Sequence, residues 1–273
     1  MECGEIKMHV VSTRQKGLGL HNQKIKKVIN RVGLVLILLL IIIGCIHQMK
    51  KSTTVNWNAA LLQNLGSGDL GKTNIGLANF AWNALDCRSG YVYGAVGQSI
   101  TPTFLRLQAN RFFGNSRANL TNSEMNDIYR NYGGHPAFDC IGLIKAYSWI
   151  DEKTGEISIH NKNAMPDCSA NGILAETPSY GAISFMPDIP GLAVQMSGHI
   201  GIYVGNGEVI ESQGNHVGVI KTKLKGRGWK WYVLVPTLTY VDSGTYFIHG
   251  QQVTISNRKI VRPNVIPGLF DRK

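Results

Sequence analysis

The chain has 273 residues, 44% hydrophobic and 16% charged, with a formal net charge of +11. That balance excludes an intrinsically disordered protein, and the length suffices for one or two domains with a real core. Residues 1–47 carry seven Lys/Arg against two Glu and the remaining 226 carry 21 Lys/Arg against 15 Asp/Glu, so neither part is basic enough to require nucleic acid, and none is expected as a partner.

Residues 1–31 form a basic segment, expected on the cytoplasmic side. Residues 32–46, "VGLVLILLLIIIGCI", are 15 apolar residues in a row. As a helix they rise about 22 Å, short of the roughly 30 Å hydrocarbon core. Val28 and Ile29 lengthen the segment, and Lys27 and Arg31 can snorkel. A buried core helix does not suit a run that is apolar on every face. Residues 32–47 are therefore expected to be a transmembrane signal anchor. A cleaved signal peptide is one alternative. The other is a lipoprotein signal, because "IIGC" resembles the bacterial lipobox, with Cys45 as the lipidated residue. Lys24, Lys26, Lys27 and Arg31 precede the segment and only Lys50 and Lys51 follow closely. This asymmetry places the rest of the chain on the extracytoplasmic face of the cell membrane.

Residues 48–71, with "NLGSGDLG", are polar and Gly-rich and read as a linker. A domain is expected over residues 72–240. From Asn74 the pattern is helical, with Leu77, Phe80, Ala81, Ala84 and Leu85 on one face, and Gly90 ends the run. Thr121 and Glu124 have capping-box spacing ahead of Met125, Ile128 and Tyr129, which predicts a short helix broken at Gly133 and Gly134. A further helix is expected over residues 139–150. Then the period changes. "GAISFM", "GHIGIYVG", "EVIES", "VGVIKTKL" and "WYVLVP" are short, β-rich and separated by turn residues. Helices followed by strands indicate an α+β fold with an antiparallel sheet. Residues 241–273 are a tail whose "TYFIHG" and "QQVTIS" suggest an extra hairpin or a loose end.

The chemistry centres on "HPAFDCIGLIKAYSWI", residues 135–150. Taken alone, Cys140 reads as a buried core thiol. A nucleophilic reading needs a favoured thiolate, a base and an oxyanion donor. Asp139 is a good N-cap type and would put Cys140 at a helix tip, where unpaired N–H groups lower a thiol below the ordinary ~8.5. Leu143, Ile144, Tyr147 and Ile150 would then be the buried face, and the Cys140 backbone N–H one oxyanion donor. His199 opens a strand whose Ile200, Ile202 and Val204 face one way, so His199, Gly201 and Tyr203 face the other. It is the candidate base. Glu211 lies twelve residues on, across Gly205-Asn206-Gly207. It shares a face with His199 only if the loop is odd-numbered or a bulge resets the register. In that case it orients the histidine as the acid of a triad does. Ser212, Gln213 and His216 are the fallback orienters.

"FDCIGLI" followed by "GHIGIYVGNGEVIES", with "YVYGAVG" upstream, resembles the NlpC family of papain-like cysteine peptidases, which cut bacterial peptidoglycan. The likeness covers about residues 72–238. It implies a papain-like fold with the nucleophile at a helix N-terminus, packed on an antiparallel sheet. It also implies roles: Cys140 attacks, His199 is base and then acid, and Glu211 holds the third, orienting position. Tyr91 would line the site and Asp139 would contact a substrate amine. The implied partner is the peptidoglycan stem peptide, cut between D-glutamate and the diamino acid. The sequence departs from the family at Ile141, where serine is common, and at Asp167, where arginine is common. The stretch between Tyr91 and Cys140 is also long. A wall-binding protein without catalysis and an acyl transferase using the same pair are the competing readings.

No cofactor and no metal site are expected, because the eight histidines show no tight ligand spacing and no CxxC occurs. Cys87, Cys140 and Cys168 lie on the expected outer side. With Cys140 reactive, Cys87–Cys168 is the available disulfide. The run "KTKLKGRGWKWY", residues 221–232, reads as a solvated strand and loop, with anionic-polymer binding as its alternative.

Overall fold

Thr73 opens the first helix, its hydroxyl accepting the Gly76 N–H at 3.0 Å. Helix α1 (Asn74–Asp86) buries Leu77, Phe80, Ala81 and Ala84, the face its apolar spacing predicts. The computed structural model describes residues 71–256 except 116, 117, 119, 159–163 and 178, and also residues 33, 60–63 and 65. All but Gly33 belong to one compact unit, Asn56–Lys273. The expected membrane segment at 32–47 lies outside the described residues apart from Gly33, as does the tail beyond Ser256. Among the described residues no helix is long and apolar enough to cross a membrane. Leu61 and Leu65 fall in the stretch expected as a linker and are buried in the main core.

Strands β1 (Gly90–Tyr91) and β2 (Val96–Ser99) flank β3 (Pro136–Phe138) in a small sheet, β1 parallel and β2 antiparallel to it. Between β2 and β3 the chain makes a two-helix excursion. Helix α2 (Pro102–Arg111) starts with a Thr101 cap and Pro102 in its first turn. It has no counterpart in the sequence reading, because only Leu105 and Gln108 of its ten residues are buried and its apolar pattern is weak. Helix α3 (Asn122–Tyr132) carries the full capping box: Thr121 Oγ1 accepts the Glu124 N–H at 3.2 Å and Glu124 Oε2 accepts the Thr121 N–H at 2.7 Å. The excursion closes over its own core of Val92, Ile100, Leu105, Leu120 and Ile128.

Helix α4 (Gly142–Trp149) runs through the centre of the molecule. Every one of its residues is buried, Lys145 and Ser148 included, rather than the single expected face. It crosses α1 closely: the Tyr147 hydroxyl accepts the Thr73 N–H at 3.0 Å. A methyl group on Gly76 would stand 2.1 Å from that hydroxyl, so only glycine permits the approach. After the short α5 (Ile173–Glu176) the chain enters a six-stranded antiparallel sheet. In chain order its strands are β4 (Tyr180–Ala182), β5 (Ala193–Met196), β6 (His199–Gly205), β7 (Glu208–Ser212), β8 (Val219–Lys223) and β9 (Trp231–Val233). Their spatial order is β4-β9-β5-β6-β7-β8. "GAISFM" is only half a strand, because Ile183–Phe185 turn into a 3-10 helix. Strand β5 has no counterpart among the strands the sequence pattern predicts.

The tail forms the hairpin β10 (Gly244–Ile248) and β11 (Gln251–Ile255), and Ile248 and Ile255 join the main core. Its backbone is tied to α1 by Asn79, whose Nδ2 donates to Phe247 O at 3.0 Å and whose Oδ1 accepts from His249 N at 2.9 Å. The anticipated disulfide is absent: Cys87, Cys140 and Cys168 are all free thiols. Cys87 is buried behind α1, whereas Cys168 lines an open cleft with Cys140.

Candidate active site

Cys140 sits in the turn between β3 and α4, half-buried. Asp139 organises that turn. Its Oδ1 accepts the Gly142 N–H at 2.6 Å and its Oδ2 the Gly94 N–H at 2.8 Å. Its carbonyl takes the Leu143 N–H at 3.1 Å. The regular helix starts at Gly142, three residues after the expected start at 139, and the Asp139 carboxylate caps the turn ahead of it by accepting the Gly142 N–H. Gly142 is pressed against the small sheet: an added Cβ would lie 2.0 Å from Ala95 O.

The thiol does not behave as expected of a helix tip. Burial pushes it up to about 12, and the adjacent Asp139 charge adds to the rise. Backbone N–H groups of Ile141, Ile200 and Cys140 itself favour the thiolate without overcoming that burial. Asp139 is also raised by burial, against the N–H groups of Gly142 and Gly94. Burial thus favours the neutral thiol at Cys140.

His199 and Glu211 meet. The His199 Nε2 is 2.7 Å from Glu211 Oε2. The turn between their strands is a two-residue Asn206-Gly207 turn, both residues at positive φ. By itself that turn would send the two side chains to opposite faces. A bulge at Val204 resets the register: Gly205 faces Glu208, yet Tyr203 faces Val209 and Ile202 faces Ile210. Glu211 then sits opposite Gly201, where an added Cβ would be 3.2 Å from the Glu211 Cβ. The contact with Ile200 N–H puts the Cys140 thiol against the start of β6. With Nε2 turned to Glu211, Nδ1 is the ring nitrogen that faces away from that carboxylate.

Glu211 is fully buried and receives more than the histidine. Thr222 Oγ1 donates to Oε1 at 2.6 Å. Arg227 forks onto both oxygens, Nε to Oε1 at 3.0 Å and Nη2 to Oε2 at 2.5 Å. Burial opposes the charge, but the hydrogen bonds from His199, Arg227 and Thr222 bring the carboxyl down to about 2. Trp229 stacks on the His199 ring, centroids 5.7 Å apart and planes 17° apart. Arg227 and Trp229 lie inside the run read as a solvated loop. Their clustering was visible in the sequence, but no local pattern shows that the loop after β8 folds back under β7. Ser212, a fallback orienter, instead donates its hydroxyl to Phe138 O at 2.7 Å and ties β7 to the end of β3, just ahead of Cys140.

A cleft of about 530 Å³ opens over Cys140. Tyr91 and Asp139 line it with Cys140, and Gly198 brings it to the edge of His199. Burial, then the nearby Cys140 and Asp139, raise the Tyr91 phenol. The far wall is Arg111 and Phe112 at the end of α2, Phe112 edge-on to Tyr93 at 4.9 Å. Asn171 holds the approach to His199 by accepting from Gly198 N at 2.7 Å. Among the described residues no group of three His, Cys, Asp or Glu is placed to hold a metal ion.

Residues 126–237 match the NlpC/P60 family, a stretch that includes Cys140, His199 and Glu211 but not Tyr91. No curated protein matches the sequence. Among solved structures, the P60 domain of an M. avium subspecies paratuberculosis antigen is 17% identical, with 60% of this chain and 96% of that one covered and a TM-score of 0.32. The NlpC/p60 domain of peptidoglycan hydrolase SagA is 13% identical, with 50% and 99% covered and a TM-score of 0.27. The peptidoglycan hydrolase RipB from Mycobacterium tuberculosis is 16% identical, with 71% and 86% covered and a TM-score of 0.34. Over residues 126–237, the stretch that holds Cys140, His199 and Glu211, the chain is similar to the NlpC/P60 family.

Proposed function

We propose that the chain is an extracytoplasmic cysteine endopeptidase, tethered through residues 32–47, that hydrolyses amide bonds in peptidoglycan stem peptides between D-glutamate and the diamino acid. The observation that carries the catalytic part is the His199–Glu211 pair at 2.7 Å, on the strand whose Ile200 N–H meets the Cys140 thiol. The apolar run and its basic flank support the tether.

In this reading His199 Nδ1 takes the proton as Cys140 Sγ attacks the carbonyl carbon. A raised thiol makes that base necessary, because burial favours the neutral form at rest. The oxyanion lies near the N–H groups of the Cys140 turn. Collapse breaks the C–N bond, and the imidazolium returns its proton to the leaving amine. Water, deprotonated by the same imidazole, then cleaves the thioester to a carboxylic acid and the free thiol. Glu211 stays ionised throughout and holds the ring.

The test uses the full chain in detergent with defined stem peptides and product masses. Cys140→Ala abolishes cleavage, and His199→Ala reduces it by at least about 10³-fold. Unchanged cleavage in either variant removes the reading. A product mass equal to acyl donor plus added amine assigns the pair to acyl transfer.

A further inference from the structure

One cation in the cleft has no part in that mechanism. Lys145 projects from α4 into the space over Cys140. Its side chain is 10% exposed, and its Nζ lies 2.5 Å from Asp167 Oδ1. The ammonium also lies 5.5 Å from the centre of the Trp149 ring. A buried ammonium without an anion is costly, so the site requires a carboxylate. The carboxylate it has is a loose one: the Asp167 side chain is 68% exposed and lies on the cleft rim. An exposed partner contributes little to such a pair.

The cleft's other acid, Asp139, lies within electrostatic reach of Lys145 but makes its hydrogen bonds elsewhere. Both Asp139 oxygens are bound to backbone N–H groups of Gly142 and Gly94. Lys145 is thus already desolvated, and exchanging one carboxylate for another on it costs little. Lys145 lies five positions after Cys140, on the first turn of α4, and both line the same cleft of about 530 Å³, roughly 8 Å across for a compact volume of that size. That distance equals two to three residues of extended peptide at most.

We propose that Lys145 is the specificity residue of this cleft, binding a free carboxylate of the substrate, within about two residues of the attacked bond, which displaces Asp167. The proposal rests on the stem-peptide reading above for the identity of its ligand. It makes the ligand an anionic peptide and Asp167 a resident placeholder.

Calorimetry on the full chain carrying Cys140→Ala tests it, because binding is then read without turnover. The probes are two stem peptides. One has free carboxylates within two residues of the bond, and the other has all of these converted to carboxamides. The free-carboxylate peptide binds about tenfold more tightly, the low end for a hydrogen bond to a charged group. Adding Lys145→Met brings the ratio to about one, and Lys145→Arg keeps it. Asp167→Asn raises the ratio by removing the competitor, and as an exposed substitution it decides the matter should Lys145→Met fail to fold. An unchanged ratio in Lys145→Met, equal weakening of both peptides, or no binding of either overturns the proposal. A tenfold ratio in Cys140→Ala that Lys145→Met abolishes, with no cleavage by the native chain, supports the carboxylate site and removes the hydrolase reading instead.

Discussion

Glu211 is a carboxylate without solvent contact that accepts from His199, Thr222 and both arms of Arg227. Removing one partner of such a group leaves a buried charge uncompensated. Arg227→Met therefore costs about 3 kcal/mol of stability. It also lowers kcat about tenfold or more with little change in KM, because the arginine acts through Glu211 and His199 and not on substrate. Urea unfolding and steady-state kinetics read the two effects separately. The same carboxyl makes stability depend on pH. Its folded value of about 2 lies below the ordinary 4.5, so its contribution is complete above the unfolded value and is lost as pH falls through the folded one. The stability advantage of the native chain over Glu211→Gln thus shrinks between about pH 4.5 and pH 2. Urea midpoints measured across that range check this, and a constant difference would contradict it.

At the scale of elements, two devices deliver the site. One is the tip of α4, set by the Asp139 carboxylate and by the close approach of Gly142 to Ala95 O. A methyl group there has no room, and the obstacle is backbone rather than a flexible side chain. Gly142→Ala pushes the tip away from the small sheet at a cost of about 2 kcal/mol. Cleavage falls further than stability, since Cys140 moves with the tip. Melting curves and turnover of the purified variant test the pair of effects. The other device is the bulge at Val204, which lets a two-residue turn place His199 and Glu211 on one face. The α2–α3 excursion accounts for the long stretch between Tyr91 and Cys140, and the end of α2 supplies the Arg111–Phe112 wall of the cleft.

For the whole molecule, stability rests on packing without covalent staples among the described residues. The main core joins α1, α4 and the large sheet, and the β10–β11 hairpin adds Ile248 and Ile255 to it. His249 extends that attachment by stacking on Trp82 at 4.2 Å and bonding Asp86 at 2.9 Å. Cys87, Cys140 and Cys168 are free, so a reductant leaves the melting temperature unchanged. A drop of several degrees in dithiothreitol would reveal a disulfide bearing on this domain.

Much of this was legible in the sequence, and the division follows physical range. Read alone, the sequence determines the devices carried by a few neighbouring residues. The α1 face, the Thr121–Glu124 box and the Asn-Gly turn are set by local hydrogen bonding and periodicity. So are the candidates Cys140 and His199. Only the tertiary structure decides what depends on register and burial. The Val204 bulge chooses the face of Glu211, and no propensity announces it. Burial among α1, α4 and the sheet raises the Cys140 thiol instead of lowering it. The loop after β8 turns Arg227 and Trp229 inward, onto Glu211 and His199. Each of these outcomes is a sum over segments far apart in the chain, and a local reading has no access to that sum.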